Sequence, residues 1–179
     1  TGQGLAMVRM GGPGDGGGRI ACVAQAALGE GGLRVTRLHA AVDSGRIVNH
    51  DIARQQIEGG LIYGMSLALG SSIGFAKGFP DKKSLAALDL PRLADFPEIA
   101  VDFVTSDAAP FDPGELGAVI APPAIANALS SAIGSRLRSL PLDLRLARKA
   151  APAAPLSLTQ TPPRRRSSPR SPQSQCPGT

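Results

Sequence analysis

Aromatic side chains are nearly missing from this chain: they make up 3% of its 179 residues, with one Tyr and no Trp. A core without rings has to be assembled from Ala, Leu, Ile and Val, which favours close packing of small groups. Cysteine is just as scarce. Cys22 and Cys176 lie far apart and neither has a CxxC or His partner at ligand spacing, so no zinc or iron–sulfur motif can be read and no protein-held metal is expected. Cys22 reads as a small buried hydrophobe and Cys176 as a stray thiol. No apolar run approaches the roughly 20 residues that span a bilayer, and no charged start followed by an apolar stretch marks a signal peptide. No membrane span is therefore expected, and the compartment is left open.

What is present suits one folded unit. An apolar fraction of 42% permits a core, and the length fits a single domain of roughly 100–200 residues. The net charge of +5 misleads if taken whole. Residues 1–143 carry 12 Lys and Arg against 14 Asp and Glu, whereas residues 144–179 carry 7 basic residues and no acidic one. Basicity thus belongs to the tail, and nucleic acid is not an expected partner of the folded part. The tail also holds 7 of the 16 prolines. Its Ala/Pro/Ser/Arg composition cannot bury enough apolar surface to offset ordering entropy, so residues 144–179 are expected to be disordered. Arg164-Arg165-Arg166-Ser167-Ser168 is a basic run that could bind RNA or an acidic partner, although short basic runs are more often solvated tails.

Alternation of apolar and polar residues predicts strands over Leu5–Met10, Ile20–Leu28, Leu33–Val42 and Glu98–Val104, with a candidate at Ser72–Phe75. The second and third would pair across Gly29-Glu30-Gly31-Gly32. Helical spacing of Ile52, Ile57, Leu61, Met65 and Leu69 predicts a helix to about Leu69, with Asp51 as its N-cap. A second helix is expected over Pro122–Ile133, with proline at its first turn and Gly134 as its stop. The order of elements gives an α+β fold, a short mixed sheet with two main helices packed on it, in one domain over residues 1–143.

Three constellations bear on chemistry. Gly12-Pro13-Gly14-Asp15-Gly16-Gly17 formally satisfies G-x-G-x-x-G, but a strand pattern follows it where a dinucleotide site needs a helix, so it is set aside. Gln55-Gln56-Ile57-Glu58-Gly59-Gly60 puts an amide beside two glycines in a helix, each costing about 1 kcal/mol relative to Ala, which calls for a packing or ligand reason. Pro113-Gly114-Glu115-Leu116-Gly117 delivers one carboxylate on a glycine-hinged loop near a helix start, the way a buried general base is presented. A helix-entrance loop with a solvated Glu has the same spacing. His39 and His50 have no nucleophile at a readable spacing and are taken as structural.

Taken in order, Ala41-Val42-Asp43-Ser44-Gly45-Arg46-Ile47-Val48-Asn49, Gln56-Ile57-Glu58-Gly59-Gly60, Pro97-Glu98-Ile99, Gly114-Glu115-Leu116-Gly117, Ala124-Ile125-Ala126-Asn127-Ala128 and Arg138-Ser139-Leu140-Pro141-Leu142 resemble the C-terminal part of the molybdopterin-binding large subunit of the xanthine dehydrogenase and aldehyde oxidase family, of the isoquinoline 1-oxidoreductase beta subunit type. The resemblance covers about residues 2–142. It implies a molybdenum hydroxylase fragment, inactive alone, which inserts water-derived oxygen into an aldehyde or N-heterocycle. It implies molybdopterin, as the cytosine dinucleotide, carrying molybdenum, and iron–sulfur clusters on a separate subunit. The remainder of the large subunit and a small-molecule substrate are the other implied partners. By the same resemblance Glu115 is the general base, Gln56 contacts the cofactor, and Gly59 and Gly60 let the helix approach it. The alternative is an inactive remnant or non-enzymatic assembly module with a basic interaction tail.

Overall fold

Strand alternation resolves into a four-stranded sheet in the computed structural model, which describes residues 1–11, 17–29, 32–88 and 90–142. The expected disordered tail lies outside the described residues. Strands β1 (Gly2–Met10), β2 (Gly18–Gly29) and β3 (Gly32–Asp43) form an antiparallel meander, with Gly29 opposite Gly32 at the tight connection. Helix α1 (His50–Leu69) follows, then a two-residue-per-strand hairpin of β4 (Phe75–Ala76) and β5 (Phe79–Pro80) in place of the strand expected at Ser72–Phe75. Strand β6 (Glu98–Phe103) lies parallel to β3, making the order β1-β2-β3-β6 and the sheet mixed. Helix α2 (Leu116–Ile133) closes the described part. The fold is α+β with two main helices on one face of the sheet.

The core sits between that face and the helices. Ile20, Cys22, Ala24, Leu38, Ala40 and Val42 from the sheet meet Ile57, Leu61 and Met65 of α1 and Leu116, Ile120, Ile125 and Leu129 of α2. No Phe or Tyr is fully buried among them, as the composition required. Burial pushes the Cys22 thiol up to about 11, against a smaller downward pull from the backbone of His39, so it stays a protonated hydrophobe at neutral pH.

Two helix starts differ from expectation. Asn49 caps α1, not Asp51: its Oδ1 accepts from the N–H groups of Asp51 and Ile52, both at 3.0 Å. Asp51 lies in the first turn, where its charge complements the helix dipole. Asn49→Ala is expected to lower stability by about 1 kcal/mol, or about 2–4 °C in Tm, while Asp51→Ala changes it by less; thermal melts of the two variants check the assignment.

Helix α2 starts six residues before Pro122, which together with Pro123 lies inside it. Neither proline offers an N–H, so the carbonyls of Ala118 and Val119 lose their intrahelical donors. The structure accommodates this at the helix contact. Gly64 of α1 brings its bare Cα against the Ala118 carbonyl, where a Cβ would stand 2.6 Å from the oxygen. Val119 is on the open side, 43% exposed, where water can serve its carbonyl. Gly134 ends α2 in the left-handed region (φ 71°), its N–H donating to the Ser130 carbonyl. Contrary to the expectation that no apolar run nears a bilayer's span, α2 is long and apolar enough to cross one. Its apolar side is nonetheless spent on the core, with Leu116, Ile120, Ala124, Ile125 and Leu129 all buried.

Candidate functional site

The turn after β3 and the loop before α2 are tied to each other by backbone. Arg46 N–H donates to the Ala108 carbonyl at 3.0 Å and Phe111 N–H to the Ser44 carbonyl at 2.8 Å. Gly45 takes a positive φ of 71°, and a Cβ there would strike the Ala109 carbonyl. Phe111 lies on Gly18 and Leu116, and Asp112 closes its own turn by accepting from the Gly114 N–H at 2.9 Å. The Ser44-Gly45-Arg46 turn therefore fixes the path of the chain into Glu115.

Glu115 occupies the N-cap position of α2, so the helix begins directly after it, at Leu116, and not near Pro122. Its side chain makes no cap hydrogen bond and is exposed. The expectation of a carboxylate buried within this chain is thus not met: any shield from bulk water has to come from elsewhere.

The α1–α2 contact is where the sequence-predicted residues converge. A Cβ on Gly117 would stand 2.5 Å from the Ile57 carbonyl oxygen and 2.7 Å from the Leu61 nitrogen, and one on Gly60 would stand 3.1 Å from Gly117 Cα. Gly60 and Gly117 thus seat the two helices backbone to backbone, with Gln56 just before this contact on α1 and Glu115 just before it on α2. Gly60 has a packing reason inside the chain. Gly59 has none: it is exposed, and nothing lies within 4 Å of where its Cβ would be.

A cleft of about 340 Å³ opens beside these residues, lined by Ser44, Arg46, Asn49, Ile52, Gln56 and the loop from Pro110 to Pro113. Gln56 lines it, and so does Pro113, two residues before Glu115. Glu115 itself is not in the lining. Ser44 and Arg46 carry no catalytic or binding signal in the sequence beyond their position in the Asp43–Asn49 turn. Among the described residues no three His, Cys, Asp or Glu side chains gather as a metal group. His39 pairs with Asp102 across the sheet at 2.7 Å, and His50 meets the Phe103 ring edge-on while Arg54 covers that ring and donates to the Val101 carbonyl.

Residues 18–97 match the family profile described as a molybdopterin cofactor-binding domain, a span that holds Gln56, Gly59 and Gly60 but stops short of Glu115. The chain is 35% identical over 123 residues to the membrane-bound aldehyde dehydrogenase [pyrroloquinoline-quinone] of Gluconacetobacter polyoxogenes, covering 68% of this chain and 16% of that one. It is 38% identical over 118 residues to isoquinoline 1-oxidoreductase subunit beta of Brevundimonas diminuta, covering 66% and 15%. The fold superimposes on CO dehydrogenase from Oligotropha carboxidovorans with a TM-score of 0.63 at 22% identity, covering 75% of this chain and 18% of that one. These matches define a region of the molybdopterin-binding class, and the chain spans about one sixth of the length of the curated relatives. The chain belongs to the xanthine dehydrogenase and aldehyde oxidase family, as part of its molybdopterin-binding subunit.

Proposed function

We propose that this region serves a molybdenum hydroxylase subunit, one that oxidises an aldehyde or an N-heterocycle with water-derived oxygen, and that Glu115 is its general base. The observation that carries the reading is Gly59. A glycine in a helix interior costs about 0.5–1 kcal/mol relative to Ala, and Gly59 recovers none of it from packing among the described residues. One turn from Gln56, which lines the cleft, it leaves an exposed point of bare backbone, as a flat, heteroatom-rich cofactor would require. Gln56 would hydrogen-bond that cofactor through its amide and Gly59 would let α1 approach it closely, while Gly60, expected to share that role, would act through the helix contact it makes with Gly117. Molybdopterin, taken as the cytosine dinucleotide, would supply the metal and the two-electron redox chemistry. Glu115 would then take a proton at its carboxylate, provided the remainder of the subunit excludes water from it.

Electrons would leave through a separate iron–sulfur subunit, and the substrate would be a small molecule bound largely by residues outside this region. One relative's printed name carries pyrroloquinoline quinone, which makes the cofactor itself the first test. The complete subunit, meaning this region joined to the remainder that relatives carry, is expected to purify with stoichiometric molybdenum and pterin. Quinone in their place would sink the reading.

Gly59→Ala separates fold from site. It is expected to raise the stability of the chain by about 0.5–1 kcal/mol and to lower the molybdenum content of the complete subunit, read by metal analysis and independent of turnover. Undiminished loading would remove Gly59 from the cofactor's contacts.

A further inference from the structure

Both helices lie on one face of the sheet, and among the described residues nothing covers the centre of the other. There Leu5 is 62% exposed, Met7 79% and Val23 40%. The strand register sets them side by side: Leu5 faces Val23 across β1 and β2, and Met7 faces Ala21, which in turn faces Ala41 of β3. The result is one apolar field and not scattered single residues. Contiguous exposed apolar surface of this kind marks an interaction site.

Its rim is polar. Arg19 pairs with Asp43 at 3.1 Å, Arg37 with Glu98 at 3.3 Å, and His39 with Asp102 at 2.7 Å. Arg9 and Arg34 on the same strands are exposed and belong to none of these pairs, so the border is slightly basic but lacks the dense cationic cluster that a nucleic acid or an anionic surface calls for. It offers apolar area inside a polar border, the anatomy of a contact between protein layers. Extension of the sheet is disfavoured at the same place, because Asn127 Nδ2 already donates to the Leu5 carbonyl of the edge strand at 2.9 Å. An added strand would have to displace it.

We propose that this outer face docks the remainder of the molybdopterin-binding subunit, which lays an apolar layer over Leu5, Met7 and Val23. The occupant follows from length: this region is 15–16% of the first curated relatives, so most of such a subunit lies outside it and must pack somewhere. Its helical side is largely finished as a core, and although Phe75, Phe79, Leu85 and Leu93 are also exposed in the segment after α1, the sheet's outer face is the apolar surface built on regular, register-fixed strands. The inference rests on family membership and not on the chemistry of Glu115.

The test reads contact and not activity, so its failure is distinct from a failure of the cofactor reading. A photo-crosslinking benzoylphenylalanine replaces Met7 in the complete subunit, purified as a monomer without its iron–sulfur partner, and crosslinked peptides are mapped by mass spectrometry. Peptides from outside residues 1–142 are expected. In parallel, Met7→Cys in a Cys176→Ser background is alkylated; Cys22, buried and protonated, stays silent. Labelling at residue 7 is expected to be about 100-fold slower in the complete subunit than in the 179-residue chain. Crosslinks confined to residues 1–142, or equal labelling rates, would overturn the proposal. So would protection that grows with protein concentration, which would assign the face to a second copy.

Discussion

Glu115→Gln in the complete subunit, assembled with its electron-accepting partner, is expected to lower kcat by about 10²–10⁴-fold, the usual contribution of a positioned general base. That range corresponds to about 3–5 kcal/mol of transition-state stabilisation. The substitution keeps size and shape and removes the ability to take a proton. No folding penalty should accompany it, because the Glu115 side chain is exposed and makes no cap hydrogen bond. Molybdenum and pterin content should therefore stay at the wild-type level, and so should Tm. The acid limb of the pH profile of kcat/KM should vanish with the carboxylate, a signature that a merely structural role would not give. Activity retained within a few-fold would exclude Glu115 from the proton transfer.

That experiment needs the complete subunit for a physical reason. A base working by proton abstraction gains from a dry surrounding, yet Glu115 is open to solvent on this region alone. The Ser44–Phe111 and Arg46–Ala108 backbone bonds hold the loop that leads into Glu115; on the proposed reading, the exclusion of water would be added by the remainder of the subunit.

How much of this the sequence discloses depends on how local each determinant is. The three meander strands and their glycine connection are local, and alternation places them to within a few residues. Helix α1 is local too, although Asn49 outcompetes Asp51 for the cap because its amide oxygen reaches two N–H groups at once. The start of α2 is not legible, since Pro122-Pro123 signals a first turn by every local rule. What overrides that signal is the fit of Gly64 against Ala118, a contact between residues 54 positions apart. The parallel insertion of β6 beside β3 escapes for the same reason. Gln56 and Glu115 stand out as candidates in the sequence through their glycine-flanked settings, and the roles proposed for them come from an ordered motif set. Their approach through Gly60 and Gly117, and the absence of any such neighbour at Gly59, are facts of packing alone.

The glycines of α1 and α2 yield the second large prediction, because helix propensity and packing oppose each other in sign. Propensity says that Ala in place of Gly inside a helix stabilises by up to about 1 kcal/mol, and Gly59→Ala should obey. Gly117→Ala should do the reverse. Its Cβ would stand 2.5 Å from the Ile57 oxygen, 2.7 Å from the Leu61 nitrogen and 2.9 Å from the Gly60 carbonyl carbon, all backbone atoms of α1 that no rotamer change can move. The helices must separate, and overpacking of this kind costs about 1–3 kcal/mol or more. Gly117→Val, with two further methyl groups at the same seam, is expected at or beyond the upper end, a fall of roughly 6–12 °C in Tm at about 2–4 °C per kcal/mol. Since Gln56 and Glu115 flank this contact, the complete Gly117→Val subunit should also lose cofactor along with stability, whereas Glu115→Gln loses turnover alone. A Gly117→Val melt indistinguishable from wild type would mean that the two helices do not meet at this seam, and the placement of Gln56 and Glu115 on either side of it would go with it.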